Sequence, residues 1–589
     1  MTQGNTNPAS QPVSPPVAPA PRPSQSSNHG HHNDLEKVTT NKSYRSQRSF
    51  RSERTAADGT PAYEGGIPPE RVASVRSHMS MPVVSLFGGV APSGLDAEEG
   101  LVPVRSREEE FDRELAREEK GPDPWAVKFE AGEQINPKNW STKFRWYLTG
   151  LGGLLVLNST FASSAPSGVT ASVMKEFNIS TEVAILCISL FVAGYCLGPL
   201  LWGPLSETYG RRPIFIGAFI VYVGMQVGCA LAPNVGALLA FRFLGGTFAA
   251  APLTNSGALL ADIWDGDHRG QAMALFGLAP FAGPSIGPIV SGFIEVAGVD
   301  WRWVYWILTM FAGACFFLII FTLPETYAPI ILAKKAKRLR KETGEDRWYA
   351  PIERKQTDFR TRLNDIVFKP FIMLALEPML LVTTIYMSFV YGVVYLLFEA
   401  YPFVFVDIHH FNTGENGLAF LGFFSGGAIC TLFYMTVIET RYQKHCKAIA
   451  PESPAPEKRL ELCIICGWAL AIAMFWFGWT AYPDIHWISP VIAGGFIGIG
   501  VLGMFVSLFN YIIDVYLWSA ASALAASTVC RSSFGAGFPL FANQLYERLG
   551  VHWASSLLGF IALILAPVPL LLMKYGPYLR SKSRFVPVV

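Results

Sequence analysis

A chain of 589 residues in which 51% are hydrophobic and 16% are charged is too apolar for a typical soluble protein, whose charged share is about 25%. Its net charge of +2 does not favour nucleic acid as a partner. The nine cysteines show no zinc-like pairing, and Cys463-Ile464-Ile465-Cys466 lies in an apolar run, where we expect packing rather than redox chemistry. The composition predicts a membrane protein.

Residues 1–141 differ in composition from the rest, because Pro, Ser, Asn and charged residues dominate there. Such a segment buries too little apolar surface to offset its conformational entropy, so we expect a disordered cytoplasmic tail without a secretory signal. Arg45-Ser46, Arg48-Ser49 and Arg51-Ser52 repeat at a spacing of three. Serines after arginines are typical of kinase substrates, which makes a kinase one candidate partner; a solvated basic tail is the alternative.

Apolar runs of about 20 residues, the length that crosses a bilayer, follow one another from residue 145 to residue 573. They predict an all-α membrane protein with twelve transmembrane helices, embedded in the lipid bilayer. The runs are 145–165, 183–205, 214–231, 235–264, 269–296, 304–323, 371–398, 417–438, 460–480, 488–509, 518–541 and 553–573.

The loops after the even-numbered spans are rich in Lys and Arg, as is the carboxyl-terminal tail at 575–589. Basic loops are retained in the cytoplasm, so both termini are predicted to be cytoplasmic. The hydrophilic linker 324–370 divides the spans into a six-helix half at 142–323 and a second at 371–574. Two such halves match an architecture in which substrate binds near the midplane and access alternates by rocking.

A charged turn joins the second span to the third and reads Gly203-Pro204-Leu205-Ser206-Glu207-Thr208-Tyr209-Gly210-Arg211-Arg212-Pro213. Glycines allow a tight reversal, and the charged residues can brace helix ends from the water side. The turn closely resembles the G-x-x-[SA]-D-[RK]-x-G-R-[RK] loop of the major facilitator superfamily, with Glu207 for the usual Asp and Thr208 for the usual basic residue. An ordinary membrane turn is the alternative. The resemblance implies a gating hinge of Gly203, Glu207, Gly210, Arg211 and Arg212.

The fourth span contains Arg242-Phe243-Leu244-Gly245-Gly246, which resembles the R-x-x-x-G element of the same superfamily. An arginine within a span costs about 2.5–3.5 kcal/mol on insertion scales. We therefore expect Arg242 to have a carbonyl or acidic partner inside the bundle and assign it to proton coupling. The alternative is an arginine that snorkels to the outer interface.

The fifth span contains Gly277-Leu278-Ala279-Pro280-Phe281-Ala282-Gly283-Pro284-Ser285-Ile286-Gly287-Pro288. The run resembles the element that marks proton-coupled antiporters of the superfamily, although Pro288 replaces a frequent second glycine. Glycines allow close helix approach and prolines free backbone carbonyls, so helix packing alone is the alternative. The resemblance implies export, and its marker residues are Gly277, Gly283, Pro284 and Gly287.

Later segments resemble the twelve-span drug:proton antiporters of fungi. They are Leu323-Pro324-Glu325-Thr326-Tyr327-Ala328-Pro329, Glu377-Pro378, and Ala520-Ala521-Ser522-Ala523 leading to Arg531 with Phe534-Gly535-Ala536-Gly537-Phe538-Pro539-Leu540-Phe541. The resemblance covers about residues 140–578. It implies a transporter, not an enzyme, that exports drugs, polyamines, weak acids or secondary metabolites.

Acidic residues within spans are candidate proton carriers, because a carboxyl group in a low-dielectric cavity can bind a proton near neutral pH. Glu377, in the inner third of the seventh span, is the strongest candidate, and Glu399 lies at the outer end of that span. For Asp262, Asp514 and Glu207 we expect a cytoplasmic latch that pairs with arginines or helix ends.

The seventh span also carries a row of aromatic residues that could line an apolar cavity, and packing alone is the alternative. The predicted cavity residues are Asn158, Phe161, Tyr386, Tyr391 and Tyr395. We find no nucleotide-binding loop, no catalytic constellation and no metal-ligand cluster in the sequence. No cofactor, metal or ATP drive is therefore expected.

Together these features predict a secondary active transporter in which proton antiport drives the export of small amphipathic or cationic compounds by alternating access. Its partners would be a small-molecule substrate and protons. A proton-coupled nutrient importer and a non-transporting membrane sensor are the alternatives. The plasma membrane is the predicted location, with the vacuolar membrane as the alternative.

Overall fold

The computed structural model describes residues 123–130, 132–264, 266–354, 359–449 and 454–585. The arginine–serine repeats of the tail lie outside these residues. The described chain is helical, as the apolar runs predicted, and it carries no strand beyond a single bridge between Ala126 and Tyr349.

The first half is built from nine helices in the described residues, some of which are pieces of one span. They are α1 (Thr142–Ser164), α2 (Thr170–Phe177), α3 (Thr181–Gly194), α4 (Gly198–Tyr209), α5 (Arg211–Ala230), α6 (Val235–Ile263), α7 (Gly266–Phe276), α8 (Ala279–Val296) and α9 (Arg302–Thr322).

The linker and the second half follow. The linker contains α10 (Ala328–Thr343) and α11 (Pro351–Arg354) and leads into α12 (Phe359–Leu376). The second half contains α13 (Pro378–Pro402), α14 (Thr413–Phe433), α15 (Glu439–Ile449), α16 (Glu461–Trp479), α17 (Ile488–Tyr516), α18 (Ala520–Leu565) and α19 (Val568–Lys582).

Ten helical segments among the described residues are long and apolar enough to cross a bilayer. The last, Ala520–Lys582, has 63 residues, about 95 Å at 1.5 Å per residue, which is far longer than a bilayer is thick. Gly550 interrupts its helical backbone with a φ of +71°, so this segment supplies two crossings. The 23-residue helix α1 supplies one more, which brings the crossings to the predicted twelve.

The two halves meet along small residues. Gly292 of α8 lies so close to the backbone of Thr413 that a Cβ atom there would collide with it, and Gly417 of α14 lies equally close to the carbonyl of Pro288. A second contact joins α3 to α18, where Gln544 donates a hydrogen bond to Glu182 at 3.3 Å. Glycine at such positions lets helix backbones approach closely, and the core between the halves is built on these contacts.

Residues 123–130 and 132–139 are folded against the linker, and we call them the clasp. Val127 donates a backbone hydrogen bond to the carbonyl of Tyr349 at 2.9 Å, and the Trp125 ring meets the Trp348 ring edge-on at 5.4 Å. Val127 is buried with Ala336 and Ala350 in a small core. Apolar residues after Asp123 thus find a surface on the linker, within the range that composition assigned to a tail.

Charged side chains tie the clasp to the linker as well. The Lys335 ammonium lies 2.8 Å from Glu133, and the Tyr349 hydroxyl donates to Asp123 at 2.6 Å. The hydrogen bond from Lys335 holds the pKa of Glu133 below its ordinary value, and the bonds from Tyr349 and the Trp125 N–H do the same for Asp123. Both carboxylates therefore favour the clasped state when they are ionised.

Candidate transport site

A small, mostly apolar cavity, part of it open to solvent, lies between the two halves of the bundle. Helices α1, α6 and α8 of the first half face α13, α17 and α18 of the second half across it. The lining residues are Thr160, Leu253, Gly277, Pro280, Phe281, Pro284, Tyr391, Val394, Tyr395, Phe505, Val506, Phe509 and Arg531. Apolar walls with a few polar groups are the usual character of a small-molecule site.

Arg531 of α18 is the charged member of this lining. Its side chain is buried, and its guanidinium carbon lies 4.8 Å from the centroid of the Tyr391 ring. Phe509 and Phe505 approach the same guanidinium at 5.5 and 5.6 Å. Aromatic ring faces attract a cation electrostatically, and more strongly in a dry site than in water, so these rings stabilise a positive charge at the centre of the bundle.

A chain of hydroxyl groups leads from the cavity into the first half. The hydroxyls of Tyr391 and Tyr395 lie 3.4 Å apart, and the Tyr395 hydroxyl lies 2.9 Å from Oγ of Ser163. Ser163 belongs to α1, so this contact crosses between the halves. The carbonyl of Ser163 in turn accepts a hydrogen bond from Nη2 of Arg242 at 3.4 Å.

Arg242 of α6 is fully buried and does not reach the surface of the bundle. Its Nε donates to the carbonyl of Cys187 at 2.6 Å, and its guanidinium lies 4.1 Å from the Phe191 ring centroid. Backbone carbonyls are one of the two kinds of partner that the sequence predicted. Nη1 makes no hydrogen bond within the part of the chain that is described. The costly burial of this cation is thus offset by the carbonyls and by the ring.

The antiporter-like run forms the first part of α8, and its glycines pack against α1. A Cβ atom on Gly283 would collide with Thr160, and one on Gly287 would collide with Ser164. The hydroxyl of Ser164 donates to the carbonyl of Gly283 at 3.3 Å, across the same interface. Gly277 and Pro284 lie at the cavity itself. The run therefore packs its glycines closely against α1 and also presents Pro280 and Phe281 to the cavity.

The charged turn is braced by a carboxylate from the end of the sixth span. Glu325 accepts hydrogen bonds from the backbone N–H groups of Arg211 at 2.9 Å and Arg212 at 3.3 Å. These two residues begin α5, so Glu325 caps its positive end. Gly210 has a φ of +99°, and a Cβ atom there would collide with the Glu325 carboxylate. Glycine is thus required at this position for two reasons, the positive φ and the lack of room for a side chain.

Arg211 is buried at the same turn and holds three helices together. Its Nε lies 3.3 Å from the Asp262 carboxylate at the end of α6, and its Nη1 donates to the hydroxyl of Ser206 in α4. The Ser206 hydroxyl also lies 2.8 Å from Oδ1 of Asn255. Arg212 points elsewhere and donates to the carbonyl of Ile320 at 2.9 Å.

Comparison with known proteins shows the family to which the chain belongs. Residues 151–539, well over half of the chain, match the model of the Major Facilitator Superfamily. The chain belongs to this superfamily. It is therefore an integral membrane protein and a secondary transporter rather than an enzyme.

Relatives and solved structures agree with this assignment. The MFS-type efflux pump MFS2 of Trichophyton rubrum is 41% identical over 467 residues, which are 79% of this chain and 78% of that protein. The multidrug transporter mdrA of Aspergillus fumigatus is 40% identical over 468 residues, 79% of this chain and 76% of that protein. The proton:xylose symporter XylE shares the fold with a TM-score of 0.55 at 17% identity, covering 74% of this chain and 97% of XylE.

Two carboxylates from outside the superfamily loop meet its helix end and its arginine, because Glu325 caps α5 and Asp262 pairs with Arg211. Pairing of Glu207 with a helix amino end or an arginine stays a prediction. Glu207 is half-buried on the last turn of α4. Gly203 is buried in the same helix, where its carbonyl accepts from Ser206 at 2.7 Å.

The second half of this transporter carries a matching cluster. Arg459, just before α16, lies 3.0 Å from Asp514 at the end of α17 and 3.1 Å from Glu439. In the first half, Arg211 and Asp262 occupy the corresponding start and end of the third and fourth spans. Each cluster ties helices of its own half, so each stiffens one half rather than latching the two halves together. Asp262 pairs with Arg211, one of the partners that the sequence predicted for it, and Asp514 pairs with Arg459.

Glu377 lies outside the cavity, at the break between α12 and α13. It is buried and accepts hydrogen bonds from the Tyr516 hydroxyl at 3.4 Å and from the backbone N–H of Arg584 at 3.1 Å. Neither partner lines the cavity. Glu377 therefore anchors the carboxyl-terminal segment to the end of α17.

The predicted cavity residues divide into two groups. Tyr391 and Tyr395 line the cavity, whereas Asn158, Phe161 and Tyr386 do not. The ring centroids of Phe161 and Phe311 lie 6.2 Å apart. The Tyr386 hydroxyl packs so closely against Gly467 that a Cβ atom there would collide with it. Asn158 is fully buried, with both amide atoms unpaired among the described residues.

Helical geometry explains these misses. Tyr386 lies about 140° around α13 from Tyr391, whereas Tyr395 lies only about 40° from it. Asn158 lies about 160° around α1 from the lining residue Thr160. Arg531 was noted only as part of a family-like segment, and its intramembrane charge was the signal that could have identified it. No cluster of metal-binding side chains is found in the described part of the chain.

Proposed function

We propose that the chain is a proton-coupled antiporter that exports small amphipathic compounds by alternating access. The observation that carries the proposal is the cavity between the halves, walled by the glycine-containing start of α8. An apolar cavity with aromatic walls suits an amphipathic molecule. Several relatives are named efflux pumps or multidrug transporters, which supports export as the direction.

The two clusters on the predicted cytoplasmic side give alternating access a mechanical basis. Arg211 with Asp262 and Arg459 with Asp514 each brace helices within one half. A stiff half can rock as a unit over the small residues of α8, while its internal packing is preserved. The turn from Gly203 to Arg212 would then serve as a rigid element of the rocking half, with Glu207 at its edge.

For proton coupling we propose the buried network around Arg242. Its guanidinium is joined through Ser163 to the Tyr395 hydroxyl at the cavity, so occupancy of the cavity and charge in the first half can influence each other. Glu377 is assigned a smaller part, because its hydrogen bonds run to the carboxyl-terminal segment. The plasma membrane is the proposed location.

Inside-out vesicles that contain the full chain test the proposal. Uptake of an exported compound should require an imposed pH gradient and collapse when the gradient is dissipated, and ATP should add nothing directly. ATP-driven uptake without a proton gradient would overturn antiport. Accumulation in right-side-out vesicles with an inward proton gradient would instead identify an importer, and a chain that moves none of a broad compound panel would favour a sensor.

A further inference from the structure

The central cavity presents one sign of charge. Among the described residues that line it, Arg531 is cationic and none is acidic. Arginine remains protonated in proteins, so the charge is permanent. A buried charge is screened far less than a charge at the surface, and it acts on anything that enters the cavity.

A second cation lies behind the cavity wall. Arg242 is joined to the lining residue Tyr395 through Ser163, and its guanidinium is buried in the first half. Arg531 reaches the cavity from the second half. The cavity therefore lies between two buried guanidinium groups, and both raise the electrostatic potential that a substrate meets there.

The rest of the wall fits an aromatic or other flat apolar body. Phe281, Phe505 and Phe509 contribute ring surface, and the hydroxyls of Tyr391 and Tyr395 can donate hydrogen bonds to an oxygen acceptor. Aromatic rings could bind an organic cation by cation–π attraction, but Tyr391, Phe505 and Phe509 already flank the guanidinium of Arg531. Charge repulsion from Arg531 works against a second cation at this place.

We propose that the cavity selects organic anions over organic cations of the same size, and that Arg531 is the residue that binds the anionic group. This inference rests on the proposed transport function and deepens it by naming the substrate class. The favoured substrate is an amphipathic molecule with a ring system and a carboxylate or sulfonate group. A guanidinium suits both groups because its N–H donors can bind two oxygens at once.

Binding of two matched probes to the purified full chain in detergent tests the charge preference. Naphthalene sulfonate is a permanent anion, and trimethylnaphthylammonium is a permanent cation with the same ring system. We expect the sulfonate to bind at least tenfold more tightly, a difference of about 1.4 kcal/mol. Tighter binding of the ammonium probe to the unmodified chain would overturn the proposal without any variant.

Variants then assign the preference to one residue. Arg531→Gln should weaken sulfonate binding about tenfold or more and leave ammonium binding equal or improved, whereas Arg531→Lys should keep the anion preference in part. Ser533→Ala is a matched control on the same helix, because Ser533 does not line the cavity. Equal weakening of both probes by Arg531→Gln, with an unchanged elution profile and melting temperature, would show that Arg531 only maintains the shape of the cavity.

Transport in proteoliposomes separates this inference from the proposed function. If the sulfonate binds preferentially but a pH gradient drives neither probe, proton antiport fails and the charge preference stands. If the gradient drives both probes equally, and Arg531→Gln changes neither rate, antiport stands and the charge preference fails.

Discussion

Glu325 accepts a hydrogen bond from the backbone nitrogen of Arg211 at 2.9 Å, although 114 positions separate the two residues. The contact places a carboxylate from the end of the sixth span on the amino end of α5. The same carboxylate accepts from the N–H groups of Thr326 and Tyr327 at 3.1 and 3.0 Å, which fixes its own orientation. The superfamily turn is thus completed by a residue that lies outside it.

The first prediction follows from this cap. Replacing Glu325 by Gln removes the negative charge from the positive end of α5, and replacing it by Ala removes the hydrogen bonds as well. We expect Glu325→Ala to cost about 0.5–2 kcal/mol of stability, with a smaller loss for Glu325→Gln. The melting temperature of the purified protein in detergent measures both losses.

Glu207 provides the matched control for the cap. Because Glu325 already occupies the amino end of α5, Glu207→Gln should lower the melting temperature less than Glu325→Gln does. Equal losses for the two Gln variants would indicate that Glu207, within the turn, stabilises the amino end of α5 as much as Glu325 does.

The second prediction concerns the buried arginine of α6. Arg242→Ala should abolish transport while the protein still reaches the membrane, because the variant removes a cation held by the Cys187 carbonyl and linked to the cavity through Ser163. Substrate uptake in vesicles, normalised to the amount of protein in the membrane, checks it. Arg242→Lys keeps the charge but not the fork of donors, so partial activity is expected. Full activity of the Ala variant would mean that the charge has no part in transport.

The sequence predicted the spans well and the facing of their side chains poorly, for one physical reason. The length of an apolar run reports a crossing, because a bilayer has a fixed thickness. A helix such as α18 is apolar on nearly all sides, so periodicity cannot show that Arg531 faces the other half. The role of Glu325 was hidden for a different reason, since a contact over 114 positions leaves no local pattern.

In the clasp, the structure is ordered where composition predicted disorder. Composition assigned residues up to 141 to a disordered tail, because a window rich in charge and proline outweighs a few apolar residues. Trp125 and Val127 nevertheless find apolar partners on the linker. A short segment can be ordered by a surface that lies far along the chain, and average composition does not register this.

The third prediction tests the glycine interface between α8 and α1. Gly283→Ala places a methyl group against Thr160 and the backbone of Phe161, so the helices must separate and the cavity must change shape. We expect a large fall in the transport rate and a loss of about 1–3 kcal/mol in stability. Gly217→Ala in α5 is the control, because nothing lies within 4 Å of a Cβ atom there. If both variants transport like the parent chain, close packing at Gly283 is not needed for transport.

The last prediction concerns the clasp and pH. The hydrogen bond from Lys335 lowers the pKa of Glu133 below its ordinary value of 4.5, and hydrogen bonds lower that of Asp123 below 3.8. A carboxylate whose pKa is lowered by folding contributes its stability above the ordinary pKa, and the contribution is lost as pH falls through the lowered value. The clasp should therefore be held at neutral pH and released progressively below pH 4.5.

Hydrogen exchange of the Val127 amide, which donates to the Tyr349 carbonyl, measures this release after correction for the intrinsic pH dependence of exchange. Protection should be high at neutral pH and fall in acid. In the double variant Asp123→Asn with Glu133→Gln, protection should be weaker at neutral pH and nearly independent of pH, because neither side chain can then ionise. Trp125→Ala should lower protection at every pH, since it removes the contact with Trp348 and leaves both carboxylates in place. If Val127 in the double variant were as well protected at neutral pH as in the parent chain, apolar contacts alone would hold the clasp.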